Sequence, residues 1–160
     1  MESVKNVAAY IARHYVDLFG EPIDQMKLHK LLYFAQRESF ILYDKPLFKG
    51  FFHAGKYGPI VIEIRDLYRD NELLDIPNPS NDYLQQNAKI FERIWDYYAK
   101  KSSHSLSILS HGEISWKNAY EKMPDCHSPY IRMKNKDIQL DATRIRRLRR
   151  FFRVKHKSNE

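Results

Sequence analysis

Cysteine is nearly absent from this chain of 160 residues, which contains Cys126 alone. A single cysteine excludes a disulfide framework within the chain and any cysteine-rich zinc site, and it is typical of a reducing compartment. Long apolar runs are also lacking, and none approaches the roughly 20 residues that a membrane-spanning helix needs. The N-terminal residues interrupt their apolar positions with Lys5, Asn6 and Arg13, unlike a secretory signal. We therefore expect a cytoplasmic protein without a membrane partner.

The positive charge of the chain is unevenly placed. Lys and Arg number 27 against 20 Asp and Glu, a net charge of +7. Residues 144–157 contain eight of the basic residues and no acid, whereas residues 1–143 contain 19 of each sign. Any inference from basicity therefore applies to the C-terminal segment alone. That segment indicates a solvated helix face, a contact to an acidic protein surface, or a contact to nucleic-acid phosphates.

Catalytic, cofactor and metal motifs are not supported by the sequence. Residues 50–57 have the glycine spacing of a phosphate-binding loop, but Tyr57 replaces the Ser or Thr that binds magnesium. Cys126 and His127 are adjacent in a loop between prolines, a poor arrangement for a nucleophile and its base. The seven histidines show none of the spacings of zinc sites. We expect no enzyme activity, no cofactor and no metal.

Apolar periodicity predicts a mainly α-helical, compact single-domain bundle of about six to seven helices. The first two helices are predicted over 4–19 and 25–43, with Ser3 and Asp24 as their N-caps. The second helix is apolar nearly all round toward its middle. We therefore expect it to lie at the centre of the bundle, packed on several sides.

The middle of the chain predicts further helices. Pro59 suits the first turn of a third helix that ends near residue 70, and Ser80 is predicted to cap a fourth over 81–101. A serine-rich link is expected next. Two short helices follow it, the second with Ser115 as its cap.

Residues 47–58 are rich in aromatic residues and glycine, which predicts a small extended or hairpin insertion. Its aromatic side chains either join a mixed core or anchor a protein partner, because aromatic residues dominate interface hot spots. The sequence leaves open which of them face outward. The four are Phe48, Phe51, Phe52 and Tyr57.

The C-terminal part combines weak strand signals with a basic helix. Residues 123–140 lack helical period, and short strands are expected within 128–140, over 130–133 or 137–140. Asp141 is predicted to cap a last helix, whose inward face holds Ile145, Leu148 and Phe152. We expect the domain proper over 1–143 and an arginine-rich helix and tail over 141–160, part of the same domain up to about residue 153.

Three blocks of sequence together carry a family resemblance. They are Lys-Leu-His-Lys-Leu-Leu-Tyr-Phe-Ala-Gln at 27–36, Ala-Gly-Lys-Tyr-Gly-Pro-Ile-Val at 54–61, and Leu-Ser-Ile-Leu-Ser-His at 106–111 followed by Trp116. The chain resembles the Panacea domain, also called the SocA-like or phage-associated GepA-like domain, over about residues 5–150. The resemblance implies a mostly helical, non-enzymatic cytoplasmic module of bacteria, mobile elements and phages. Members of the family serve as antitoxins that bind toxins encoded beside them, and at least one type delivers a toxin to an ATP-dependent protease.

The resemblance also implies which residues build the domain. This chain departs from the family at Gly55, where Trp is usual, and this shifts the expected contact surface to Phe51, Phe52 or Tyr57. The patterned residues expected to be structural are Lys27, Leu28, Lys30, Leu31, Tyr33, Ala35, Gln36, Gly58, Pro59, Leu106, Ser107 and Trp116.

The expected function is therefore that of an antitoxin, which neutralises a cognate toxin from an adjacent gene by direct binding. Two alternatives remain open: an adaptor that delivers a toxin to an ATP-dependent protease, and a nucleic-acid-associated regulator that acts through the basic tail. The residues expected to contact a partner are Phe48, Phe51, Phe52, His53, Lys56, Tyr57, His111, Arg146, Arg149, Arg150 and Arg153.

Overall fold

The first two helices form where capping residues and apolar spacing predict them. In the computed structural model, which describes residues 1–122 and 130–158, α1 spans Val4–Phe19 and α2 spans Gln25–Tyr43. Ser3 and Asp24 each accept a hydrogen bond from a first-turn amide, so both predicted caps are confirmed. Gly20 ends α1 with a φ of 74°, a left-handed conformation that glycine adopts at little cost.

The remaining elements are mostly helical, with a small sheet. In chain order they are β1 (His53–Gly55), β2 (Gly58–Ile60), α3 (Ile62–Arg69), a 3-10 turn (Leu73–Asp75), α4 (Asn81–Gln86), α5 (Ala88–Arg93), a π-helical turn (Ile94–Tyr98), α6 (Ser103–His111), α7 (Ile114–Tyr120), β3 (Ile131–Arg132) and α8 (Asn135–Ser158). The predicted mainly α-helical class is confirmed. Every residue of α2 from Lys27 to Ile41 is buried, which confirms its central position.

The three strands form an antiparallel sheet in the order β2-β1-β3. The hairpin expected within 47–58 is confirmed, although its strands begin only at His53. Pro59 does not start a helix, because it lies in β2 opposite Ala54. Since β2 is an edge strand, a residue without an amide hydrogen is tolerated there. The strand expected over 130–133 is confirmed as β3, whereas residues 137–140 lie in α8.

The helix predicted over 81–101 is interrupted at Asn87. The Asn87 side chain donates a hydrogen bond to the Tyr83 carbonyl at 2.9 Å, and its φ of −109° separates α4 from α5. Asparagine competes with the helix backbone in this way, and apolar periodicity does not register the competition. The serine-rich link is also helical, since the Ser102 hydroxyl caps α6. Eight α-helices in the described residues therefore replace the predicted six to seven.

Asp141 is not the cap of the last helix, since α8 already begins at Asn135. The Asp141 carboxylate instead accepts hydrogen bonds from the amides of Ile114 and Ser115 at 2.6 and 3.0 Å. A buried residue of α8 thus caps α7, and the prediction that Ser115 caps that helix is also wrong. The loop predicted around Cys126 lies outside the described residues.

The C-terminal half of α8 packs less than its periodicity predicts. Ile145 packs against the core, but Leu148 and Phe152 are 46% and 63% exposed. The expected inward positions of these two residues are therefore wrong. The physical reason is length, because a 24-residue helix is about 36 Å long and extends past the helices that it packs on.

Candidate partner-binding surface

A buried hydrogen-bond network fixes α7 and α8 against α2. The Tyr33 hydroxyl lies 3.0 Å from Glu113 Oε2, 3.0 Å from Ser115 Oγ and 3.3 Å from Asp141 Oδ2. Burial, together with the carboxylates of Glu113 and Asp141, raises the pKa of Tyr33 well above its usual value. The phenol therefore stays protonated and donates to a carboxylate, which sets the position of the two C-terminal helices.

Arg37 extends this network toward the π-helical turn. Its guanidinium forms a buried ion pair with Glu113 and donates a hydrogen bond to the Tyr98 hydroxyl. Burial raises the pKa of Glu113, and Arg37 opposes that shift. A buried carboxylate needs such a partner, so the pair holds the loop between α6 and α7 in place.

Two of the α8 arginines that were predicted to contact a partner form hydrogen bonds inside the chain. Arg149 forms a two-pronged ion pair with the buried Glu38, with Nη1 2.9 Å from Oε2. Arg146 donates hydrogen bonds from Nε to the Ile41 carbonyl at 3.1 Å and from Nη2 to the Phe40 carbonyl at 2.7 Å. Both arginines were predicted to contact a partner. In the structure both arginines bind the end of α2 instead. The buried Glu38 carboxylate and the last carbonyls of that helix need hydrogen-bond donors, and the two arginines supply them.

Beyond Arg149, the last turns of α8 stand clear of the body. All residues from 150 to 155 are exposed, which covers every side of the helix. The apolar side chains among them are Phe151, Phe152 and Val154, at 60%, 63% and 64% exposure. Arg150 and Arg153 are exposed beside them. This basic and apolar helix end, residues 150–155, is here called the α8 end.

A groove of about 610 Å³ adjoins the α8 end. Ile108 and Leu109 of α6 form one side, at 58% and 41% exposure, and Leu148 and Phe152 of α8 form the other. The residues at its polar rim and floor are Arg37, Arg93, Glu113, Arg144 and Arg149. The sequence does offer one sign of this groove, since Ile108 and Leu109 follow the inward Leu106 and make a short helix apolar on two faces.

The aromatic residues of the hairpin region divide between core and surface. Phe48 and Phe52 are 1% and 2% exposed and belong to the core, so they cannot present a surface to a partner. Phe51 and Tyr57 are 52% and 56% exposed. The Arg132 guanidinium lies 3.4 Å from the centre of the Phe51 ring, a cation–π contact between the hairpin region and β3.

The polar residues predicted to contact a partner near the hairpin lie where the hairpin meets α6. His111 is half-buried, stacks on Trp116 at 4.2 Å between ring centres, and hydrogen bonds to the Lys56 backbone. Burial lowers the pKa of both His53 and His111. The Lys56 side chain is exposed. The structure thus brings Lys56, Tyr57 and His111 together at the turn of the hairpin.

The patterned residues implied by the resemblance are buried throughout. Gln36 Oε1 accepts hydrogen bonds from the amides of Leu47 and Phe48, and Trp116 Nε1 donates to the Gly55 carbonyl at 2.9 Å. The buried set comprises Lys27, Leu28, Lys30, Leu31, Tyr33, Ala35, Gln36, Gly58, Pro59, Leu106, Ser107 and Trp116. These contacts tie the hairpin to α2, α6 and α7.

Within residues 1–122 and 130–158, no group of three or more His, Cys, Asp or Glu side chains is placed to hold a metal ion. In the same residues, no helix has the length and apolarity to cross a bilayer. The α8 end and its groove expose several large apolar side chains close together, and such patches often mark interaction sites.

The described residues form a mainly helical domain whose last helix exposes apolar and basic side chains. A family model described as the antitoxin SocA-like Panacea domain matches residues 28–117, more than half of the chain. The chain therefore belongs to the SocA-like Panacea-domain family. The comparison with curated proteins and the comparison with solved structures each found no match.

Proposed function

We propose that this protein is an antitoxin that neutralises a toxin by forming a stable complex with it, and that the α8 end and the adjoining groove bind the toxin. Membership of an antitoxin family supports the class of function. The exposure of Phe151, Phe152 and Val154 is the observation that supports this choice of binding surface. Two neighbouring phenylalanines at a helix end, uncovered by the rest of the described chain, are the kind of anchor that dominates protein interfaces.

The chemistry of this surface indicates what the toxin presents to it. The apolar side chains require an apolar patch, and the exposed Arg150 and Arg153 favour acidic side chains around that patch. The groove adds Leu109 and Leu148 on opposite walls, 41% and 46% exposed, between which an apolar side chain of the toxin can insert. The toxin contact is therefore expected to be apolar at its centre and acidic at its edge.

The decisive experiment is co-expression of this protein with the product of the adjacent gene. That product should arrest growth alone, and this protein should restore growth and form a complex that survives purification. If the product is harmless alone, or remains toxic without forming a complex, the antitoxin function is wrong. A toxin whose half-life shortens in the presence of this protein would also contradict a stable complex and would indicate delivery to a protease.

The surface is tested with a matched pair of variants. Phe151→Ser combined with Phe152→Ser should weaken toxin binding at least tenfold, because interface anchors contribute more than about 1.4 kcal/mol each. Phe51→Ser is the control, since that phenylalanine is similarly exposed but lies before the hairpin. Toxin affinity should change less than about twofold in the control, and binding lost only in the control would place the interface at the hairpin instead.

A further inference from the structure

A second cavity lies on the hairpin side of the molecule, between the start of α2, the turn that joins β1 to β2, and α3. Its volume is about 600 Å³. His29 and Lys30 form its floor, at 2% and 1% exposure. Its walls are largely apolar and aromatic, and comprise Met26, Tyr57, Ile60 and Tyr130.

His29, which lines this cavity, has an unmet hydrogen-bond donor. Its Nδ1 accepts a hydrogen bond from the Val61 amide at 3.1 Å. An imidazole nitrogen that accepts carries no proton, so the proton of the neutral ring is on Nε2. The Nε2 atom is buried and has no hydrogen-bond partner. An unmet buried donor is costly and uncommon, which indicates that an acceptor belongs there.

Lys30 provides a positive charge beside that donor. Its ammonium donates one hydrogen bond, to the Pro59 carbonyl at 3.3 Å, and it forms no ion pair within the described part of the chain. An ammonium has three donors, so two remain for other acceptors. Asp24 is the acid that acts on Lys30 electrostatically, but its oxygens are engaged by the Lys27 amide and the Ser103 hydroxyl.

Two further features make the cavity electrostatically positive. Gln25 and Met26 line it from the first turn of α2, a 19-residue helix whose N-terminal amides favour an anion. Arg65 also lines the cavity and adds to the positive potential at His29, although Asp66 pairs with it at 3.1 Å. The Lys30 charge, the N-terminus of α2 and the unmet donor of His29 therefore all lie at this cavity.

We propose that this cavity binds a carboxylate carried on an apolar stem, with the carboxylate oxygens accepting hydrogen bonds from His29 Nε2 and Lys30 Nζ. One neutral donor and one ammonium suit a carboxylate, and the apolar walls suit the stem. Tyr57 lines the cavity and is 56% exposed. The carboxylate comes either from a free small acid or from the C-terminus of a peptide. The site does not depend on the α8 end or on the antitoxin function.

The test compares an acid with its amide on the wild-type protein. 4-Phenylbutyrate should bind with a Kd of about 1 mM or lower, and 4-phenylbutyramide at least tenfold more weakly. The binding of 4-phenylbutyrate should shift the imidazole nitrogen resonances of His29 in an NMR spectrum of histidine-labelled protein. Equal binding of acid and amide, or an equally strong response to inorganic phosphate, would overturn the proposal.

The source of the carboxylate and the role of Lys30 are tested separately. A tetrapeptide ending in Phe with a free C-terminus, compared with its amidated form, reports a peptide carboxylate, and 4-phenylbutyrate reports a free acid. Lys30→Met should reduce 4-phenylbutyrate affinity at least tenfold, whereas Lys89→Met, at an exposed position that does not line the cavity, should change it less than threefold. Unchanged affinity in a folded Lys30→Met protein would contradict the proposal. If that variant does not fold, the comparison of acid and amide in the wild type still decides.

Discussion

The folded protein is expected to lose stability in mild acid because of one buried side chain. His29 is 2% exposed, and burial, with the nearby charges of Lys30 and Arg65, lowers its pKa from 6.5 to about 3. In the unfolded chain the same imidazole takes up a proton near pH 6.5. Between pH 6.5 and pH 3 the unfolded state therefore binds more protons than the folded state, so the free energy of unfolding falls as the pH falls.

The magnitude follows from the two pKa values. Between pH 7.5 and pH 5, proton binding to His29 in the unfolded state lowers the free energy of unfolding by about 2 kcal/mol. At pH 3 and below, the full loss from this one group approaches about 5 kcal/mol, a large share of the stability of a domain of this size. Carboxylates add their own acid effects at the lower end, so the range from pH 7.5 to pH 5 is the informative one.

The assay is urea unfolding followed by circular dichroism at intervals between pH 7.5 and pH 5, in buffers without a carboxylate. His29→Asn is the matched variant, because the asparagine Oδ1 can accept the Val61 amide in place of Nδ1. His53 and His111 are present in both proteins, so their effects cancel in the difference. The difference between the two proteins should shrink by about 2 kcal/mol from pH 7.5 to pH 5. A parallel pH dependence of the two proteins would refute the reasoning.

Two further perturbations follow from contacts of α8 and the hairpin. Arg149→Met removes the main partner of the buried Glu38 and should cost about 3 kcal/mol in urea unfolding, whereas Arg150→Met should change stability by less than about 0.5 kcal/mol. Equal effects of the two would contradict the ion pair. Gly58→Ala would place a Cβ in a steric clash with the Ser110 hydroxyl at a residue whose φ is 113°, so little folded protein is expected by circular dichroism. Gly20→Ala, at a φ of 74° with open space around the new Cβ, should lower stability by only about 1 kcal/mol. Similar losses of stability in the two variants would contradict the close packing at Gly58.

The sequence was sufficient to predict the helices whose ends are determined by neighbouring residues. α1 and α2 begin beside a serine or aspartate cap, and Gly20 closes the first of them, so spacing and capping residues placed both. The segment that breaks at Asn87 was predicted as one helix because its apolar period is continuous. The hydrogen bond from the Asn87 side chain to the Tyr83 carbonyl interrupts that helix, and apolar period does not reveal such a bond.

Asp141 shows a different reason for error. As a sequence neighbour of the basic segment it has the properties of an N-cap, and it does cap a helix, but the helix is α7. The prediction of α8 failed there because the partner amides come from residues 26 and 27 positions away. Periodicity and cap preferences describe near neighbours only, and such long-range contacts are decided by packing.

The candidate surfaces were only partly predictable for the same reason. Phe48 and Phe51 are three positions apart in one aromatic segment, yet one is 1% and the other 52% exposed. Arg146 and Arg150 lie on one basic helix, yet the first is bound to the end of α2 and the second is exposed. Composition drew attention to both segments, but it could not show which aromatic side chains join the core or which arginines bind acceptors of α2.

This division of the arginines bears on the meaning of the charge of +7. A chain that binds nucleic acid through this segment would need its cations directed at phosphates, yet Arg149 neutralises Glu38 and Arg146 is held by two carbonyls. Arg144 and Arg147 are exposed earlier in the helix. Arg150 and Arg153 lie beside the exposed Phe151, Phe152 and Val154, whose apolar surface gains nothing from a phosphate backbone. An apolar centre with cations around it matches the anatomy of a protein interface, in which buried aromatic anchors supply affinity and charges at the rim supply orientation. The cations of the α8 end therefore favour an acidic protein surface over a nucleic acid.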